Sequence, residues 1–409
     1  MVVHVIGAGV AGLAAALVLV KAGRRVVVHE ASPGAGGRAR ALPDGTDNGT
    51  HALLGANQAA LGFLRDVGAL EGWVEPEPGG LPVLDLADHA ARRVALAPMG
   101  WLRAGMRPAG MDAGGFLALL RLALPGRDRS VADAFARHPV LLRALVEPLT
   151  VAALNTPATE ASARLLGMVL RRLGAPGAAR LLVAQRGLGP DMVAPALATI
   201  GAHGGAVRFG ARLRGLVRAE GRVAALDFGE TAQRLAPDDQ VVLALPPWEA
   251  LRLLPDLPAP VTHAPILNVH FAREGEGPVR FIGLLGGLGQ WVLVRPSGVS
   301  VTVSAADDSV GLSDAEAAER IWPEVLAAAM AFRLPGEWPI RAPGARAVRE
   351  RRATPRHGVG PRPAPPRRPL PNLALAGDWT FPSLPATIDA AVQSGQAAAA
   401  ALLHPGPRP

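Results

Sequence analysis

The sequence predicts an α/β protein in which a discontinuous nucleotide-binding domain carries an inserted α+β domain. Two observations predict it. A strand, a glycine-rich turn, a helix and a second strand follow one another over residues 2–30, the βαβ unit that binds a mononucleotide. Pieces that complete such a domain recur in the middle of the chain and at its end, with other material between them.

Residues 2–6 (VVHVI) read as a short buried strand, 10–22 as a helix apolar nearly all round, and 25–30 (RVVVHE) as an apolar run closed by an acid. From about 60 to 186 the pattern is mainly helical, as at 115–124 and 160–173. A helix over 191–203 closes on Gly204-Gly205, and strand-like pieces follow at 206–209, 212–218, 222–228 and 240–245. Residues 263–304 alternate strands with Gly-rich turns. The helix 313–332 opens on Ser313 with Glu316 three residues on, a capping-box spacing. A strand at 373–376 and a helix over 386–403 end the chain. Residues 1–75, 187–250 and 365–409 are therefore assigned to the nucleotide-binding domain, and 76–186 with 251–364 to the substrate domain.

Cysteine is absent, which excludes a disulfide framework, a thiolate zinc site and a cysteine nucleophile. No metal centre is expected. The net charge is +8, but residues 341–368 hold nine Arg and one Glu, so the rest of the chain sums to zero. The basic character belongs to one Pro-rich stretch and does not call for a nucleic-acid partner. That stretch reads as a solvated loop, with a patch facing anionic lipid or a diphosphate as the functional alternative. Val5–Val20 is apolar, yet Gly7, Gly9 and Gly12 interrupt it and it is shorter than a bilayer span. A cytoplasmic protein is expected, one that can lie on the inner face of the cytoplasmic membrane without crossing it.

Five elements carry the chemistry. Gly7-Ala8-Gly9-Val10-Ala11-Gly12 joins the first strand to the first helix. Gly7 allows the tight turn, Gly9 lets a pyrophosphate approach, Gly12 lets helix and sheet pack closely, and the helix N-terminus stabilises phosphate charge. Glu30, followed by Ala31, stands eighteen residues past Gly12, where an acid accepts hydrogen bonds from ribose hydroxyls. The second element is Gly36-Gly37-Arg38, whose arginine suits a pyrophosphate or a flavin edge. This extension separates FAD proteins of the amine oxidase and carotenoid desaturase type from NAD dehydrogenases. The third is Asp47-Asn48-Gly49-Thr50-His51, similar to a run that such families place beside the isoalloxazine ring. The fourth is distributed: a hairpin over 207–228 resembles the segment whose backbone holds the adenine in such families, with Leu213 at the contacting position, and the strand 240–247 containing Ala244 follows it. The fifth is Gly377-Asp378 followed by Ala386-Thr387-Ile388 at the start of the last helix. Its amides point at the flavin pyrimidine, where negative charge develops on reduction. Without cysteine there is no thioether tether, so the FAD is expected to be non-covalent.

Together DNGTH, VAALNTP (151–157), ASARLL (161–166), RERRAT (349–354) and LALAGDWT…LPATIDAAVQSG (373–395) resemble the hydroxysqualene dehydroxylases, within the amine oxidase and carotenoid desaturase flavoprotein superfamily. The resemblance covers nearly the whole chain. It implies reductive removal of an allylic hydroxyl from a C30 isoprenoid, giving squalene for hopanoid synthesis. A polyene desaturase running in the opposite redox direction shares the fold, the cofactor and the tunnel, and stays open. An amine oxidase is disfavoured. Lys21 is the only lysine and lies in the first helix, tyrosine is absent, and Trp379 is the best-placed candidate for an aromatic cage. A non-catalytic flavin or lipid carrier is the remaining alternative.

Dehydroxylation requires a general acid, for which His51 comes first and Asp47 second. The substrate is expected to be a long isoprenoid in an apolar tunnel. Residues 99–124, with Met99, Trp101, Met106, Met111 and Phe116 among Arg103, Arg107 and Arg121, are read as its mouth or as a segment dipping into the bilayer interface. An amphipathic core helix is the plain alternative. One dinucleotide fingerprint leaves the electron donor unassigned: a nicotinamide visiting the flavin face, or another reductant.

Overall fold

The computed structural model describes residues 1–230 and 232–404. The last five residues of the segment 365–409 lie outside the described residues.

The first domain is built on a five-stranded parallel sheet. Its strands run, edge to edge, Leu373–Leu375, Gln240–Leu243, Val2–Ile6, Arg25–His29 and Ala206–Arg208. These are short runs of Val, Leu and Ala, as a sheet covered on both faces demands. Helices Val10–Lys21 and Ile388–Leu403 pack together against the sheet. Their crossing is close because Gly395 has no side chain: a Cβ there would overlap the Ala11 carbonyl. Gly12 is needed for the same reason, since a Cβ would run into the Gly7 carbonyl, and Gly7 itself has φ +102°. Leu13, Leu17 and Leu19 of the first helix join Val3, Val5 and Val28 in the core beneath.

The second domain rests on a seven-stranded sheet ordered Ala345–Pro355, His263–Phe271, Gly298–Ser304, Trp291–Arg295, Arg280–Leu285, Leu81–Asp85 and Ala90–Val94. Helix Asp314–Ala331 covers one face, burying Ile321, Trp322 and Val325 against Val269, Val301 and Val303. Its predicted capping box is present: Ser313 and Glu316 each bond the other's backbone amide.

Three stretches differ from the sequence reading. The stretch taken as mainly helical contains the hairpin 81–94 and the strand Leu181–Ala184. The hairpin's outer strand carries Arg92 and Arg93 at exposed positions, so its pattern hides the pairing. The strand Leu181–Ala184, placed on the substrate side of the boundary at 186, pairs with Ala52–Leu54 and Trp73–Val74. The basic stretch is a loop mainly in its second half, where residues 356–368 run outside helix and strand. Residues 345–355 form the eleven-residue edge strand, where charged side chains protect an open edge.

A helical module accompanies the second sheet. Helix Ala113–Ala123 crosses Ala163–Leu173 so closely that a Cβ on Gly167 would overlap the Leu122 carbonyl. Asn155, left-handed at the end of helix Glu147–Leu154, ties this module to the second sheet. Its Oδ1 accepts from Ala305 N at 2.6 Å and its Nδ2 donates to Thr354 Oγ1 at 3.0 Å. That accounts for the asparagine of VAALNTP. No helix among the described residues is long and apolar enough to cross a membrane.

Candidate active site

The glycine turns meet at the C-terminal ends of the parallel strands. Gly9 and Gly36 form an isolated bridge, and Gly36 N donates to Ala8 O at 2.8 Å. The space a Cβ of Gly9 would occupy is open, with the Gly37 Cα as its nearest neighbour at 4.0 Å. The glycines let the two backbones approach closely, a Cβ on Gly37 falling 3.2 Å from the Gly9 Cα, at the N-terminus of the helix that begins at Val10, a place suited to a diphosphate. Ala11 and Gly12 follow in that helix, buried. Glu30 braces the turn. Its Oε2 accepts from Ala8 N and its Oε1 from Ser32 N, each at 2.8 Å, while Ala31 is exposed beside it. Ala244 packs behind: its N donates to Ile6 O, and its carbonyl is what any Cβ on Gly7 would strike. Leu213 is buried with Ile6 and Val223 in the strip between the first sheet and the hairpin 215–227.

Arg38 is the hub. One guanidinium nitrogen donates to Asp378 Oδ2 at 2.7 Å and another to the Ala353 carbonyl, while its own carbonyl accepts from Asn48 Nδ2 at 3.4 Å. The second, third and fifth motifs thus converge, together with RERRAT. Gly377 N donates to Ser394 Oγ at 2.8 Å, fixing the Gly-Asp turn to the last helix. Thr387 caps that helix by accepting from Ala390 N at 3.2 Å, and Ile388 begins it.

His51 is half-buried next to Arg38. Burial first, and then the Arg38 charge, push its pKa down to about 4. It is a neutral imidazole at ordinary pH until a negative charge is placed beside it. Asp47 is in a different situation. Its Oδ1 accepts from Leu188 N at 2.7 Å and its Oδ2 from Arg295 Nη1 at 3.0 Å, with both partners buried. Burial raises the Asp47 pKa against the pull of Arg295. The carboxylate clamps the first domain to the second sheet.

Sequence reasoning missed the floor beneath DNGTH. Asn268 Oδ1 accepts from Thr302 Oγ1 at 2.9 Å and from Thr50 N at 3.3 Å. His270 is buried and paired with Ser300 at 2.8 Å. Polar residues at alternate positions of the strand His263–Phe271, which is otherwise apolar, were the available signal. Two aromatic side chains singled out in the sequence, Trp379 for the disfavoured amine oxidase cage and Trp101 in the 99–124 segment, both lie in the core. Trp379 is no cage wall: it is buried with Leu243 and Leu375, and its Nε1 donates to Leu245 O at 3.0 Å. Trp101 is likewise core, with Nε1 on Ala95 O at 2.7 Å. The exposed apolar side chains of the 99–124 segment are Met99, Leu102, Leu117, Leu120 and Leu124. Lys21 lies at the far end of the first helix, paired with Asp66 at 2.9 Å.

A cavity of about 680 Å³ opens between helix Gln58–Asp66 and residues 172–182, with Arg65, Arg172 and Arg180 on its wall and Asp389 at its edge. A smaller apolar pocket shares Ala56 and Arg172 with it and is lined by Met168, Val169, Leu173, Leu384 and Pro385.

The model of the flavin containing amine oxidoreductases matches residues 10–403. Among curated proteins, a hydroxysqualene dehydroxylase of Rhodopseudomonas palustris is 40% identical, with 99% of each chain covered. One from Zymomonas mobilis is 35% identical over 97% of this chain and 98% of its own. One from Sinorhizobium fredii is 36% identical over 97% of each. Among solved structures, cyclohexylamine oxidase from Brevibacterium oxydans superposes with a TM-score of 0.69 at 18% identity, covering 98% of both chains. An oxidoreductase from Methanosarcina mazei gives 0.69 at 14% identity, over 97% of this chain and 99% of its own. These two share the fold. The chain is a flavoenzyme of the amine oxidoreductase superfamily and belongs within it to the hydroxysqualene dehydroxylase family.

Proposed function

We propose that the chain binds FAD non-covalently and reductively dehydroxylates hydroxysqualene to squalene. The observation that carries this reading is the 35–40% identity, along nearly the whole chain, to proteins of that name. The geometry is in keeping with it. Gly7–Gly12 and Gly36-Gly37 suit the diphosphate, Glu30 the ribose, the backbone around Leu213 the adenine, Asp378 the ribityl chain, and the Ala386–Ile388 turn the pyrimidine. With no cysteine in the chain there is no thioether. Bound and reduced, the flavin would supply the hydride equivalent that replaces the allylic hydroxyl, which would take a proton from the protein and leave as water.

The protein's part is to deliver that proton and to keep the pocket dry. We assign the proton to His51. It is neutral in the free site; negative charge placed next to it would offset Arg38 and raise its pKa, so that it takes up a proton from solvent and then gives it to the departing hydroxyl. Asp47, with both oxygens engaged, is given the supporting role. Lysine-assisted amine chemistry has no residue to run it, because Lys21 pairs with Asp66 away from the site.

For the substrate's path we propose the helical module. The small apolar pocket ends at Leu384 and Pro385, just before the flavin turn, and its other wall is helix Ala163–Leu173. On the back of that helix lies Ala113–Ala123, presenting Leu117 and Leu120 to solvent. We propose that this face rests on the inner leaflet, arginines at headgroup level, so that a polyprene enters from the acyl region. The two electrons come from a donor outside the chain.

The test is product analysis. Purified enzyme with a flavin absorbance envelope, given hydroxysqualene and a reductant, is expected to form squalene and water. Formation of new conjugated double bonds from a saturated-bond precursor, with no squalene, would establish the desaturase instead.

A further inference from the structure

The segment after the edge strand is absorbed by none of the flavin motifs, yet it holds the turn that precedes the last helix. His357 is fully buried. Its Nε2 accepts from Ala386 N at 3.0 Å. Five residues on, Arg362 Nη1 donates to Pro382 O at 2.6 Å and to Leu384 O at 2.7 Å. Three backbone groups within the five residues 382–386 are thus gripped by one strap. The strap is anchored on its other side to the helical module, where His357 N donates to Thr156 Oγ1 at 3.1 Å and His357 O accepts from Ser162 N at 2.9 Å.

We propose that His357 and Arg362 are positioning residues that set the direction of the flavin-facing amides at Thr387 and Ile388. The inference rests on the reading of that turn as the pyrimidine contact. His357 takes the Ala386 amide for itself, so Ala386 contributes shape to the flavin site and the next two amides contribute charge stabilisation. The hydrogen bond requires a neutral imidazole with its proton on Nδ1. Burial, reinforced by the Arg362 charge, keeps it neutral by lowering its pKa to about 3. Arg362 is itself mostly enclosed, and burial lowers its pKa to about 10, so it stays charged. Preorganised donors aimed at developing charge stabilise it only while their direction is fixed. The strap also connects Thr156 of VAALNTP to LPATIDAAVQSG, which gives a physical reason for these distant motifs to occur together.

The experiment compares wild type with His357→Leu, His357→Gln and Arg362→Met, reading the flavin spectrum, the midpoint potential, kcat and KM. Glutamine can place an acceptor oxygen near the position of Nε2; leucine cannot. The leucine variant is expected to bind flavin with an altered envelope and a more negative potential. Its kcat should fall roughly tenfold or more with KM little changed, as a misplaced contact at the reacting centre does, and glutamine should restore most of this. Arg362→Met should move the same readouts in the same direction, and it decides the matter if the leucine variant does not fold. Lowered thermal midpoints with unchanged spectrum, potential and kcat would reduce the strap to a structural brace and overturn the proposal. A wild-type protein that takes up no flavin would instead refute the underlying reading of the turn.

Discussion

Arg38 joins segments far apart in the chain through its guanidinium and its carbonyl, and this convergence makes the neighbouring His51 and Asp47 separable by experiment. Replacing His51 with alanine removes the proposed proton donor from a half-buried position beside Arg38. Flavin binding is expected to persist while turnover falls about 100-fold or more; unchanged turnover would take the role from His51. Asp47→Asn should act on stability. It leaves Arg295, 10% exposed at its side chain, without its counter-charge, and breaking a buried pair costs about 3 kcal/mol or more. A urea midpoint equal to wild type would contradict the clamp. At this scale the motifs were legible because their residues are constrained locally: Gly7 by its positive φ, Gly12 by the Gly7 carbonyl five residues before it. Arg295, Asn268 and His357 were not legible. Each acts through a partner some 29 to 248 positions away, and nothing in its local sequence announces that partner.

Secondary-structure elements divide in the same way. The first βαβ unit, the capped helix at 314–331 and the last helix follow from local pattern and capping. The hairpin 81–94 and the edge strand 345–355 depend on neighbours distant in sequence, and their exposed arginines mask the period-two signal. Residues 99–124 hold the most consequential revision. Amphipathic composition was visible, but the side chains named from it included Trp101, which is core. The exposed set is Met99, Leu102, Leu117, Leu120 and Leu124. A Leu117→Ser, Leu120→Ser variant should fold, since both positions are at least 44% exposed, and should pellet less with anionic liposomes than wild type. Equal pelleting would remove the bilayer from the account of substrate entry.

Across the whole molecule, buried histidines tie stability to pH. His29, His270 and His357 are enclosed, and burial foremost lowers their pKa values from 6.5 to about 4, 4 and 3. His4 and His29 also share a hydrogen bond of 3.1 Å, which requires one of them to be unprotonated. The folded state therefore holds these rings neutral, and the unfolded chain takes up protons first. Their contribution is whole above about 6.5 and is lost as pH falls towards 4, on the order of 3 kcal/mol for each fully enclosed ring. Denaturation midpoints should fall steeply from pH 7 to pH 5; a flat profile would show that the rings are open to solvent in the fold.

The two-domain plan was legible because nucleotide-binding pieces recur along the chain. The direction of electron flow was not, because dehydroxylase and desaturase share fold, cofactor and tunnel. A single anaerobic turnover addresses it most directly. Photoreduced enzyme mixed with hydroxysqualene should return the oxidised flavin spectrum as squalene appears, one molecule for each flavin reoxidised. Flavin that stays reduced with the alcohol untouched would contradict the account.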